Sequence, residues 1–295
     1  MNRFLQNLCH RNPVITYCLL TFTISWGYYL LYRVMQANGG QPFLHYQIVT
    51  QFSPAMAAIA LVMITENHRG IRNLFERLVR WRVGYGWLLL AVLFEPVMFL
   101  TIALGYRLTV GDFPMASVTL TGSDLITVVV TFIFGLLRWG FAEEVGWRGW
   151  MLPNLQQKMS PFRASIVLAI VITLWHLRPT CICELVADRA DGYLYGQYPE
   201  AVERIIITIP ITLFMTLIFN RTKASLVPMM MYHSASNTSY FWLKETTGVV
   251  DTDFFRIVFL ITVLVMTPVL SFAVIREGRA SPGSTDSRRS MIPRN

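Results

Sequence analysis

The stretch DLITVVVTFIFGLLRWGFAEEVGWRGWMLPNLQQ, residues 124–157, decides how the chain is read. Its first half is apolar, and its second half carries Glu143, Glu144 and Arg148 with no turn signal between them. As one straight helix it would extend about 51 Å at ~1.5 Å per residue, more than a single bilayer crossing. Pro153 is therefore expected to kink or end the helix near Met151 and Leu152, leaving 154–159 at an interface. Charge at the edge of or inside a bilayer is costly unless it is paired or functional. The glutamates and the arginine thus mark a candidate site.

The rest of the chain shares this oily character. Hydrophobic residues fill 54% of its 295 positions and charged residues only 14%, against about 25% charge in a soluble domain. Eight apolar segments lie at about 14–35, 46–65, 85–106, 124–141, 161–178, 203–220, 224–243 and 254–275. Each approaches the ~20 residues needed to cross roughly 30 Å of hydrocarbon. The expected fold is all-α, a polytopic transmembrane helical bundle of about eight spans forming one domain over 1–278. Residues 279–295, rich in Ser, Pro, Gly and Arg, are expected to be a disordered basic tail. The first apolar run, 14–31, is longer than a signal-peptide core and shows no small-residue cleavage site, so it is expected to remain a span.

The net charge of +8 is unevenly placed. Arg69, Arg72, Arg77, Arg80 and Arg82 crowd the loop 66–82, and Arg276, Arg279, Arg288, Arg289 and Arg294 lie towards the C-terminus. Basic segments beside apolar spans favour the cytoplasmic face and attract anionic lipid. A multi-pass cell-membrane protein with both termini in the cytoplasm is expected, with membrane lipid as a partner. No RNA- or DNA-binding pattern accompanies the arginines, so nucleic acid is not expected. Cys9, Cys18, Cys181 and Cys183 make no disulfide framework. The pair at 181 and 183 lacks the second ligand pair of a zinc signature and reads as loop packing.

Two further polar intrusions follow the first: His176 at the end of one apolar segment, and His233 with Asn237 inside another. Ser160-Pro161 is a helix start, with serine as N-cap and proline at the first helical position. The elements on either side of Met159 should form a helical hairpin. Glu143 lies 16 residues before Met159 and His176 lies 17 after it. On antiparallel helices both would sit at the same depth, roughly 25 Å from the turn.

Glu144 and Arg148 are four apart, on one helix face, where an acid–base pair lowers the cost of both charges. Glu143 is rotated about 100° from Glu144 and can point into a cavity. There it can act as a general base towards water, with His176 sharing that water, orienting it, or binding a metal that activates it. His233 and Asn237 share a face and could supply N–H donors to an oxyanion. Each feature alone has a structural reading: an interfacial charge pair, an interfacial histidine, or hydrogen-bonding glue between helices. Three intrusions of complementary chemistry favour a site. Met229, Met230 and Met231 read as adaptable packing, and His10, His45 and His68 as surface residues. Glu95, before Pro96 in the third span, has no role beyond a partner for a basic residue.

The stretch Phe141-Ala142-Glu143-Glu144-Val145-Gly146-Trp147-Arg148 resembles the E-E-x-x-x-R motif of the CAAX-protease and bacteriocin-processing (Abi) family of intramembrane proteases. Trp175-His176-Leu177 resembles the second motif, and His233-Ser234-Ala235-Ser236-Asn237 the third, H-x-x-x-N. The resemblance covers about 124–243. It implies an α-helical intramembrane endopeptidase acting on a membrane-associated protein or peptide, prenylated CAAX proteins among eukaryotic members. Glu143 would then activate water beside His176, His233 and Asn237 would stabilise the oxyanion, and Glu144 and Arg148 would support them. The second motif is usually F-x-x-x-H, whereas Ile172 stands four before His176; the departure removes no catalytic group.

The family's metallopeptidase description makes zinc the implied ion, with His176 and His233 as candidate ligands. No H-E-x-x-H helix is present, and a metal-free mechanism is equally compatible. Two other readings keep the helical bundle: a non-proteolytic membrane partner or self-immunity protein, and a transporter using the acids as a proton relay. The transporter reading lacks the paired broken helices that mark such sites.

Overall fold

The computed structural model describes residues 11–40, 45–114, 122–177 and 201–280. Among them are nine helices and no strand. In chain order they are α1 (Pro13–Ala37), α2 (Tyr46–Thr65), α3 (Asn67–Leu78), α4 (Tyr85–Thr109), α5 (Gly122–Gln156), α6 (Pro161–His176), α7 (Ala201–Arg221), α8 (Val227–Thr247) and α9 (Asp253–Ala280). Cys9, His10, the Cys181/Cys183 pair and the tail beyond 280 lie outside the described residues.

Each of the eight expected apolar segments overlaps a helix. Six are long and apolar enough to cross a membrane: α1, α2, α4, α5, α7 and α9. Helix α6 is apolar but only 16 residues long, and α8 has the length but interrupts its apolar run with His233, Asn237, Lys244 and Glu245. The chain is a multi-pass membrane protein. Exposed side chains on its spans, among them Ile126, Val130, Ile133 and Phe134 of α5 and Leu264, Val265 and Phe272 of α9, are apolar, as contact with lipid requires.

The segment 66–82 is not the plain loop its charge suggested. Its first part forms α3, which sets Ile71, Leu74 and Leu78 against the core and leaves Arg69 and Arg72 in solvent. The apolar spacing of three and four residues is that of an amphipathic helix.

Pro153 does not end or sharply stop the long helix. Helix α5 continues through it to Gln156, and the adjustment is made earlier, by two π-helical turns at Leu136–Phe141 and Trp147–Met151. The amide of Ala142 donates to the carbonyl of Leu137, and that of Leu152 to Trp147. Each is a five-residue step that lets the helix shift its face. Pro153 has no N–H for the carbonyl of Gly149, which instead accepts Arg77 Nη1 of α3 at 2.9 Å. The proline is tolerated because another helix takes up the freed acceptor.

The two halves of α5 have opposite environments. Its N-terminal half is largely exposed, whereas residues 142–152 are all buried. The buried half packs against α2, while α8 lies along the first half and the turn at Leu136–Phe141. A methyl on Gly146 would come within 2.5 Å of the Pro54 backbone, and one on Gly140 within 2.9 Å of the Met230 Cα. Small residues at such crossings let membrane helices approach closely. Tyr17 of α1 stacks on Trp150 and meets Trp147 edge-on, closing the core behind the glutamates.

Charge separates the two ends of the bundle. The starts of α1, α4, α6 and α8 lie with the ends of α2, α5, α7 and α9, and with α3, at one end. Leu226 N donates to Arg77 O at 3.0 Å, Ser225 Oγ to Arg80 O at 2.6 Å, and Arg221 pairs with Glu277. This end gathers Arg69, Arg72, Arg77, Arg80, Arg82, Lys158, Arg163, Arg221 and Lys223. At the opposite end Arg107, Lys244 and Arg256 pair with Asp112, Asp251 and Glu203 at 2.8, 3.3 and 3.1 Å.

Candidate active site

The second half of α5 and the first half of α8 bring four of the six candidate residues into one cluster. Arg148 Nη1 donates to both oxygens of Glu144, at 2.9 and 3.0 Å. His233 Nδ1 lies 2.9 Å from Glu144 Oε1 and, since a carboxylate only accepts, carries the proton of that bond. On the other side of the ring, Nε2 stands 4.0 Å from Glu143 Oε1. Glu144 and Arg148 are buried, so their charges are compensated within the protein. Glu144 is thus tied not to Arg148 alone, as the four-residue spacing suggested, but to His233 as well. One carboxylate orients both the guanidinium and the imidazole.

Glu143 lies outside the Glu144–Arg148 ion pair. With His176 it lines a cavity whose other walls are Ser25, Trp26 and Tyr29 of α1, Thr50 and Gln51 of α2, and Trp175. Counting its open mouth, the cavity holds about 440 Å³. The hairpin thus places residues from its two arms around the same space. His176 Nδ1 lies 2.8 Å from the carbonyl of Ile172, which fixes the ring proton on Nδ1 and the lone pair on Nε2. The aliphatic residue at 172 therefore contributes through its backbone, a bond that any side chain there permits. Trp175 is held from two sides, by Nε1 donating to Ser53 Oγ at 3.2 Å and by its carbonyl accepting Trp26 Nε1 at 3.4 Å.

Asn237 follows His233 by one turn of α8 and is half-buried. Between them Ser234 Oγ donates to the carbonyl of Phe132 at 2.6 Å, locking α8 to the turn of α5 that enters the first π segment. Glu95 of α4 is 2% exposed and faces Tyr232, Ser236 and His233 of α8. Its neighbours are two hydroxyls and the imidazole of His233, the basic residue it meets.

Among the described residues no group of three or more His, Cys, Asp or Glu side chains is arranged to hold one ion. His233 has Nδ1 committed to Glu144, and only His176 and Glu143 reach the cavity. This falls short of the three protein ligands of a catalytic zinc.

The sequence did not indicate the cavity walls from α1 and α2. The available signal was modest: Ser25 and Tyr29 stand four apart in an apolar span, and Thr50 and Gln51 open another.

Residues 125–239 match the family model described as type II CAAX prenyl endopeptidase Rce1-like. A CAAX prenyl protease 2 from Methanococcus maripaludis is 26% identical over 137 residues, covering 44% of this chain and 48% of that protein. A lysostaphin resistance protein A from Staphylococcus haemolyticus is 23% identical over 250 residues, covering 83% of this chain and 61% of that protein. The chain thus spans about half to three-fifths of the length of these relatives. The matched segment contains Glu143, Glu144, Arg148, His176, His233 and Asn237, and over residues 125–239 this chain is similar to the Rce1-like CAAX endopeptidases.

Proposed function

We propose that this protein is an intramembrane endopeptidase that hydrolyses a peptide bond of a membrane-associated protein or peptide. The observation carrying this reading is that Glu143 and His176, from the two arms of one hairpin, line a single cavity inside an apolar bundle. Glu143 takes a proton from a water whose other hydrogen bonds to His176 Nε2. The water oxygen attacks the scissile carbonyl carbon, and the charge that develops on the carbonyl oxygen is met by donors on α8. Asn237 can donate from its amide. His233 can donate from Nε2 only when its ring is doubly protonated, because the Nδ1 proton is already committed to Glu144. When the C–N bond breaks, Glu143 returns the proton to the leaving amine. Glu144 and Arg148 position His233 and touch no reacting atom.

The reading keeps both termini in the cytoplasm, supported by the basic end of the bundle at which α1 starts and α9 ends. The CAAX prenyl protease among the relatives makes a prenylated peptide the first substrate to try. Purified protein in proteoliposomes is expected to cleave a farnesylated peptide, with products identified by mass spectrometry. Glu143→Ala and His176→Ala should each lower the rate by about 10²- to 10⁴-fold. Undiminished cleavage in either variant would overturn the mechanism.

The relative matched over the larger share of this chain bears a resistance name, which favours a second reading: a membrane partner that acts without proteolysis. That role needs no water-activating base, so its phenotype would survive Glu143→Gln.

A further inference from the structure

Helix α3 carries more than packing against the bundle requires. Its inner side sets Ile71, Leu74 and Leu78 against the core, yet its outer side exposes Phe75 and Val79, and Trp81 just beyond it is exposed as well. Basic side chains flank these apolar ones. Arg69 and Arg82 are exposed and have no carboxylate partner among the described residues, while Arg72 meets the exposed Glu76 at 3.0 Å. The Arg82 guanidinium lies over the Trp81 ring at 5.1 Å. Aromatic and aliphatic side chains interleaved with arginine, on a helix outside the apolar spans, suit an interface whose headgroups are anionic.

The inner side of the same helix holds the two helices that build the catalytic cluster. Arg77 Nη1 donates to Gly149 O in the second π turn of α5 at 2.9 Å, and Arg77 O accepts the amide of Leu226, at the start of α8, at 3.0 Å. Gly149 adjoins Arg148, the partner of Glu144, and Leu226 stands about two turns before His233. The chain enters α8 through Lys223 and Ala224, both in the left-handed region with φ of 54° and 61°. A Cβ disfavours that region, so such a turn persists only where its surroundings impose it. Here Arg80 Nη1 donates to Lys223 O, and Ser225 Oγ donates to Arg80 O at 2.6 Å. Helix α3 and its extension therefore clamp the ends of α5 and α8, which meet deeper in the bundle at the 2.9 Å bond between His233 and Glu144.

We infer that the outer side of α3 docks on anionic lipid headgroups, and that this docking holds the clamp closed and keeps His233 aligned with Glu144. The exposed apolar side chains of α3 gain in the interface a partner that water does not provide, which opposes lifting of the helix from the bundle. The strained turn at 223–224 relaxes when the clamp opens, so the start of α8 follows α3. The effect on turnover rests on the endopeptidase reading: cleavage rises with the anionic lipid content of the membrane.

The test reconstitutes full-length protein in vesicles of phosphatidylcholine alone and of an equal mixture with phosphatidylglycerol. Amide hydrogen exchange is read by mass spectrometry beside cleavage of a farnesylated peptide. Exchange in 67–78, 147–152 and 223–230 is expected to slow by about fivefold or more in the mixed vesicles, the worth of one basic side chain at an anionic surface, and cleavage to rise in parallel. High salt should erase the difference. Arg69→Gln combined with Arg82→Gln should bring the two vesicle types together at all three segments. Arg77→Gln should keep the slowing in 67–78 and lose it in 147–152, and Arg77→Lys should restore part of it. Equal exchange of the wild type in both vesicles, with cleavage proceeding, overturns the docking and leaves the peptidase reading standing. Slowing confined to 67–78 in the wild type overturns the clamp. Slowing in all three segments that the double variant loses, with no cleavage in either vesicle, supports the inference and overturns the peptidase reading. The same slowing produced in neutral vesicles by inorganic phosphate assigns the arginines to a soluble anion and overturns the docking.

Discussion

Glu144 accepts Arg148 on both oxygens and His233 on one, whereas Glu143 opens onto the cavity beside His176. Two identical side chains one residue apart therefore fail differently when removed. Glu144→Ala leaves Arg148 as a buried cation without its carboxylate and releases His233, and is expected to cost about 3–5 kcal/mol of stability. Glu143→Gln keeps the shape of the side chain and removes only the base. It should lower turnover by about 10²- to 10⁴-fold with little change in unfolding temperature. Thermal unfolding in detergent alongside turnover separates the two, and equal destabilisation by both variants would contradict the unequal roles. The sequence showed this division in part. The four-residue spacing pointed to the Glu144–Arg148 pair, but the third partner comes from α8, 89 residues away, and no local pattern announces it.

At the scale of elements, α5 works because its face shifts as it crosses the bundle. Its apolar first half meets lipid, and two π turns bring Glu143, Glu144 and Arg148 inside. The spans themselves were legible, since hydropathy marks a helix with little reference to its neighbours. The π turns were not, because what steadies them is tertiary: the Ser234 hydroxyl on Phe132 and the Arg77 guanidinium on Gly149. For the same reason Pro153, expected to kink or end the helix, does not end it. Helix α3 was hidden by its arginines, which raise the polarity of the segment while leaving its apolar spacing intact. The contact between α5 and α2 gives a direct test of this packing. Gly146→Ala pushes a methyl into the Pro54 backbone and should cost about 1–3 kcal/mol. Gly27→Ala places its methyl where nothing lies within 4 Å, and should stabilise α1 by roughly 0.5–1 kcal/mol. Equal unfolding temperatures for the two variants would mean that the helices separate without cost.

Across the whole molecule, charge is sorted by end. Nine described Lys and Arg residues gather around α3 and the connections that share its end. The cations named at the opposite end are paired with acids, so their fields are largely cancelled locally. Such an asymmetry orients a bundle during insertion, because basic segments are retained in the cytoplasm. It also bears on the depth of the site. Glu143 lies six residues, about 9 Å, from Gly149, whose carbonyl is held by the amphipathic helix α3. If α3 rests at the cytoplasmic interface, the cluster of Glu143, Glu144 and His233 lies within the apolar slab, about 10 Å below that surface. Single cysteines test the orientation in a background with the four native cysteines replaced by serine. Arg69→Cys on α3 and Glu245→Cys near the end of α8 are both exposed positions. In intact cells a membrane-impermeant thiol reagent should label the cysteine at 245 and spare that at 69 until the membrane is opened. The reverse pattern would place α3 and both termini outside, and the charge asymmetry would then require an explanation other than retention of basic segments.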